Sequence, residues 1–131
     1  MSNIKIVLVE DEKSIREMYV HKFKSEGFEI SEAENGVEGL KIIENTQPAL
    51  VLLDLRMPVM DGEEMLKKLR GYEWGNNVPV VILTNVSQSE APHELRFLKV
   101  AKYVVKAHTT PSQVVSEVVS ILIKYRVLPS R

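Results

Sequence analysis

Three near-continuous apolar runs punctuate the chain: IKIVLV at 4–9, ALVLLDL at 49–55 and VPVVILT at 78–84. Each is too short for a helix and rich in β-branched residues. Apolar character without alternation means that both faces are covered, as in the central strands of a parallel sheet. FEISEA (28–33), which partly alternates, and AKYVVK (101–106) are weaker strand candidates.

Helical periodicity fills the intervals. Ile15, Met18, Tyr19 and Phe23 share one face, with Gly27 as a stop signal. Val37, Leu40 and Ile43 form a second stripe, which Pro48 ends. Met65, Leu66 and Leu69 form a third. Asp61 with Gly62 marks its start, acids sit in its first turn, and Lys67, Lys68 and Arg70 come later, an order that suits the helix dipole. A fourth helix is expected over Ser89–Lys99. For the fifth, Thr110 is an N-cap, Pro111 takes the first helical position, and Val114, Val115, Val118, Val119 and Leu122 make the stripe. Ile121, Ile123 and Tyr125 lie partly off that stripe. GYEWGNN (71–77) reads as a turn-rich loop, and Val127 to Arg131 as a short tail. The order is β-α five times over, which predicts an α/β fold with helices on both faces of a parallel sheet.

Composition narrows the function. The 131 residues fit one domain, 1–131, with its core at about 4–125. A net charge of −1 gives no reason to expect nucleic acid or an anionic membrane as partner. Cysteine is absent, so disulfide and thiol chemistry are excluded. The N-terminal stretch has no signal-peptide h-region, and no apolar run approaches the roughly 20 residues of a membrane span. A cytoplasmic setting is the expectation. His21, His93 and His108 show no metal-ligand spacing and read as surface residues.

In open α/β sheets, sites form beyond the carboxyl ends of the strands. The first strand runs into Glu10, Asp11 and Glu12, the third into Asp54, the fourth into Thr84 and Asn85, and the fifth into Lys106. Carboxylate oxygens in an open cluster suit Mg²⁺. A carboxylate can attack phosphorus and form an aspartyl phosphate. A metal, a lysine and a hydroxyl together can neutralise the oxygens of a phosphoryl group in transfer.

These residues carry a resemblance. VLVEDE (7–12), LLDLRMPVMDG (52–62), ILTN (82–85) and YVVK (103–106) together resemble the receiver domain of two-component response regulators, most closely its single-domain, chemotaxis-type members. The likeness spans roughly Ile4 to Tyr125. It implies a flavodoxin-like, doubly wound sheet in the order 2-1-3-4-5 with five helices. It implies that Asp54 is the phosphoacceptor, and that Asp11, Asp54 and the backbone carbonyl of Arg56 bind Mg²⁺, with Glu10 in support through water. It implies that Thr84 and Lys106 hold the phosphoryl group, and that Tyr103 turns inward when Thr84 moves. The implied donor is a histidine kinase or phosphotransfer protein. The implied output is a protein partner, or a homodimer, on the face of the fourth helix, fifth strand and fifth helix.

Three positions depart from the family pattern. Ala107 stands where proline usually follows the lysine, often with a cis bond; without proline a cis bond costs several kcal/mol, so the bond is either trans or held under strain. Asn85 follows Thr84 where a smaller residue is common, which would narrow the way to Asp54. Phe97 to Val100 lacks the glycine often found before the fifth strand. Two other readings stand beside the receiver. An aspartate-based phosphohydrolase of the haloacid dehalogenase type needs an acid two residues after its nucleophile, and Arg56 occupies that place. A pseudo-receiver would bind partners without ever carrying phosphate.

Overall fold

The computed structural model describes residues 3–129; the extremes of the expected 1–131 domain, including 130 and 131 of the tail, lie outside the described residues. Five parallel strands, β1 (Lys5–Val9), β2 (Glu29–Ala33), β3 (Leu50–Leu53), β4 (Val80–Thr84) and β5 (Val100–Val105), form one sheet in the order β2-β1-β3-β4-β5. The described residues supply four α-helices: α1 (Lys13–Ser25), α2 (Gly36–Thr46), α3 (Gly62–Arg70) and α4 (Pro111–Lys124).

Strand alternation divides the apolar residues between two layers. Ile6, Leu8, Leu52, Val81 and Val104 face α1 and α4, packing on Phe23, Val114 and Val118. Val7, Val9, Val51, Leu53 and Ile82 face α2 and α3, packing on Ile43, Met65 and Leu69. All four residues of β3 are fully buried, and each contributes about 1.5–3 kcal/mol through burial. Both faces of the central strands are covered, so their sequences do not alternate.

The helix ends follow local chemistry. At the end of α1, Gly27 adopts φ 93°, the Phe28 N–H bonds the Phe23 carbonyl at 3.1 Å, and the two rings meet at 5.5 Å between centroids. That is a Schellman motif with its hydrophobic contact. Arg126 ends α4 in the same way, at φ 62°, with Val127 N–H on the Leu122 carbonyl at 2.8 Å. The expected short tail is therefore held at its start, and Leu128 packs on the core. Thr110 and Gln113 form a reciprocal capping box on α4.

Two expectations about the helices are corrected. Ser89–Lys99 is not a helix but two short 3-10 turns, Gln88–Glu90 and His93–Phe97. Pro92 disfavours helical geometry at the residue before it, and Ala91 is extended at ψ 148°. On α1, Met18 is exposed, and Val20 takes the place beside Tyr19 and Phe23 in the core. On α4, Ile121 is buried and Ile123 packs against the core, while Tyr125 is exposed.

The missing glycine before β5 is replaced by Lys99, which adopts φ 57°. Its ammonium reaches the Asn76 carbonyl and Asn77 Oδ1 at 3.0 and 3.1 Å. Arg70 holds the same turn from below. Its guanidinium donates to the carbonyls of Leu98, Gly75, Val78 and Lys99 at 2.7–3.1 Å. Burial lowers the pKa of Arg70.

Candidate functional site

Parallel register brings the strand ends together. Val9 pairs with Ala33 on one side and Leu53 on the other, and Thr84 pairs with Val105. One residue further on, the Asp54 N–H bonds the Val9 carbonyl at 3.1 Å and the Glu10 N–H bonds the Ala33 carbonyl at 2.9 Å. Glu10, Asp54, Thr84 and Lys106 thus emerge at one edge.

A bulge in β5 matters to this edge. Val80 pairs with Val100 but Val81 pairs with Lys102, so Ala101 is the extra residue. The slip reverses which face each later residue takes. Val100 and Tyr103, three apart, consequently pack in the same α2/α3-side core.

Glu10, Asp54 and Thr84 are the buried polar residues among those described, at 1%, 7% and 1% exposure. Carboxylate oxygens of Glu10, Asp11 and Asp54 lie within 4.8 Å of one another. The Lys106 ammonium donates to Glu10 Oε1 at 2.5 Å and to Asp54 Oδ2 at 3.0 Å. Asp54 Oδ1 accepts the Leu55 N–H at 2.7 Å, with the Arg56 N–H at 3.4 Å. Glu10 Oε2 accepts from the Glu12 N–H. Burial pushes the Glu10 carboxyl up, against the opposing pull of Lys106. Burial also pulls the Lys106 ammonium down, but its bond to Glu10 and the charge of Asp54 outweigh that, and the net shift is upward. Lys106 therefore keeps its proton.

Above this cluster is a cleft of about 360 Å³ lined by Asp11, Asp54, Arg56, Thr84, Asn85 and Lys106, among others. Thr84 Oγ1 accepts the Val86 N–H at 3.3 Å. Tyr103 lies outside this cleft. It lines a neighbouring one of about 410 Å³, and its hydroxyl donates to the Val86 carbonyl at 2.7 Å. Tyr103 and Thr84 thus grip the same residue from two sides. The bond after Lys106 is trans, since no described peptide is cis. His21, His93 and His108 are all exposed.

Gly62 lets α3 begin beside the end of β3. A Cβ there would stand 2.1 Å from the Asp54 carbonyl oxygen. The Gly62 N–H bonds the Leu55 carbonyl at 2.9 Å, and Asp61 caps the helix by accepting the Glu64 N–H.

One contributor was missed at the sequence level. Arg16 donates to the Glu10 and Asp11 carbonyls at 2.9 and 3.4 Å and to Glu32 Oε1 at 2.9 Å. The signal was present: a cation near the N-terminus of a helix opposes the helix dipole and asks for another reason to be there.

The donor set fits a hard divalent cation. Three carboxylates face one ammonium, all donors are oxygens, and the cluster opens on a cleft with room for water.

The family model for the response regulator receiver domain matches residues 6–118. The chain belongs to the response regulator receiver family. The receiver is 36% identical over 98 residues to sporulation initiation phosphotransferase F of Bacillus subtilis, covering 75% of this chain and 77% of that protein. It is 35% identical over 102 residues to regulatory protein AtoC of Escherichia coli, covering 78% of this chain but only 22% of that longer protein. Among solved structures, chemotaxis protein CheY4 of Vibrio cholerae superposes with a TM-score of 0.84 at 27% identity, over 91% of this chain and 98% of that one. Receiver domains of this kind are signalling domains, and the fold is of the CheY-like, flavodoxin type. No helix among the described residues is long and apolar enough to cross a membrane.

Proposed function

We propose that this receiver is a cytoplasmic switch, phosphorylated on Asp54 by a histidine kinase or phosphotransfer protein. A carboxylate oxygen of Asp54 attacks the phosphorus of a phosphohistidine. The new P–O bond forms as the P–N bond breaks, and its electron pair leaves with the imidazole nitrogen. Lys106 gives up its contact with Asp54 and pairs with the phosphoryl group, and the Thr84 hydroxyl donates to a second phosphoryl oxygen. Asp11, Asp54 and the carbonyl of Arg56, with Glu10 in support, are the residues that would hold Mg²⁺. When bound, that ion offsets phosphoryl charge.

The observation that supports this most is the Lys106 ammonium bridging Glu10 and Asp54 at the mouth of an acid-lined cleft. The test is Mg²⁺-dependent binding of beryllofluoride. Wild type should bind it, Asp11→Asn and Asp54→Ala should not, and indifference to either substitution contradicts the reading.

Movement of Thr84 toward the phosphoryl group draws on Val86 and so on Tyr103, shifting a balance between two arrangements of the 84–97 segment. The output face is then the two 3-10 turns, β5 and α4. There Phe97 is 74% exposed, and the larger cleft is lined by His93, Arg96 and Lys102. A protein partner or a second copy docks there. Arg56, exposed at the rim, screens the acyl phosphate from water. Arg56→Ala should lose its phosphoryl group faster than wild type; an unchanged lifetime contradicts that role. An arginine two residues after Asp54 cannot serve as general acid, which weighs against the phosphohydrolase.

A further inference from the structure

Asn85 and Ala107, two of the departures from the family pattern, are bonded to each other. The Asn85 side-chain carbonyl accepts the Ala107 N–H at 2.9 Å. Residue 84 is the last of β4 and pairs with Val105, so the sheet ladder has ended where this bond is made. Asn85 in effect extends the ladder by a side chain. Thr84 immediately precedes Asn85 and Lys106 immediately precedes Ala107, and both line the cleft over Asp54.

Apart from the bonds of the Lys106 ammonium to Glu10 and Asp54, the other bonds of this turn are local to it. Thr109 donates its N–H to the Lys106 carbonyl at 3.3 Å and its hydroxyl to the Val105 carbonyl at 2.6 Å. They set the form of the Lys106–His108 turn but not its distance from β4. The Asn85 bond ties the turn's backbone to the residue that follows β4. It depends on residue 107 having an N–H, which proline lacks.

We propose that Asn85 is a positioning residue, whose side-chain carbonyl holds Ala107 and thereby fixes how far Lys106 reaches over Asp54. The inference rests on the proposed phosphoryl role of Lys106, but its first consequence is read without phosphate or metal. Lys106 is tied to two carboxylates, so its ammonium protons should exchange slowly enough to be seen by nitrogen-edited NMR. Asn85→Ala should broaden or erase that signal without shifting the thermal midpoint by more than a degree or two. Asn85→Asp, which keeps the acceptor oxygen, should retain it. An Asn85→Ala signal like that of wild type overturns the proposal.

The second readout is beryllofluoride affinity in the presence of Mg²⁺. A single hydrogen bond predicts a loss of about two- to tenfold for Asn85→Ala. In a Lys106→Ala background the same substitution should cost nothing further, because Asn85 acts through Lys106. An equal loss in both backgrounds overturns the proposal. A wild type that fails to bind beryllofluoride contradicts the phosphoacceptor reading instead, and leaves the ammonium measurement to decide the role of Asn85.

Discussion

Glu10 is the most deeply buried acid of the site, and its carboxyl is pushed up from 4.5 by that burial. From pH 4.5 up to its native value, the folded state holds a proton that the unfolded chain has released. Stability from this group therefore falls as pH rises through that window. Glu10→Gln removes the slope. The urea midpoint of wild type should decline relative to that of Glu10→Gln as pH climbs above 4.5, and parallel profiles would contradict burial as the cause. Lys106 acts at the other end of the scale. Its native pKa is raised, so its contribution is complete below 10.5 and is lost as pH climbs through the native value. The residues gathered at the cleft could be read from the sequence, because Glu10, Asp54, Thr84 and Lys106 each stand at the end of a strand. Arg16 and the Asn85–Ala107 bond depend on which loops approach each other, and no local pattern records that.

Among the elements, α3 and β3 are pressed together where the site is built. Gly62→Ala would drive a methyl group into the Asp54 carbonyl, at a cost of about 1–3 kcal/mol or more, and would move Asp54. Both a lower melting temperature and weaker beryllofluoride binding are expected; a well-folded variant with normal binding would show that α3 can slide freely. Arg70 joins α3 to the loop before β4 and to the turn before β5 through four carbonyls, two in each. Arg70→Met should cost about 2 kcal/mol or more in urea unfolding, because bonds to a charged group are lost and carbonyls are left unpaired. A loss within experimental error would reduce the clamp to a surface contact. The strands and four of the five expected helices were legible because burial on both faces, capping residues and the 3.6 period are local signals. The fourth helix was misread because its apolar spacing survives while Pro92 breaks its backbone. The face taken by Tyr103 was not legible, since a single bulge at Ala101 sets it.

At the scale of the molecule, the proposed switch uses the sheet as its frame and the 84–97 segment as the part that changes. That segment has no α-helix, it carries the exposed Phe97, and Tyr103 is bonded to it. Beryllofluoride with Mg²⁺ should alter amide exchange in 84–97 while leaving β1 and β3 unchanged. A uniform change, or none, would contradict a switch located there. The most direct test is intact mass after incubation with a small acyl phosphate. Wild type with Mg²⁺ should gain one phosphoryl group, and should gain none with Asp54→Ala or after chelation of the metal. A gain that persists in Asp54→Ala, or a wild type that takes up no phosphoryl group, would contradict Asp54 as the phosphoacceptor.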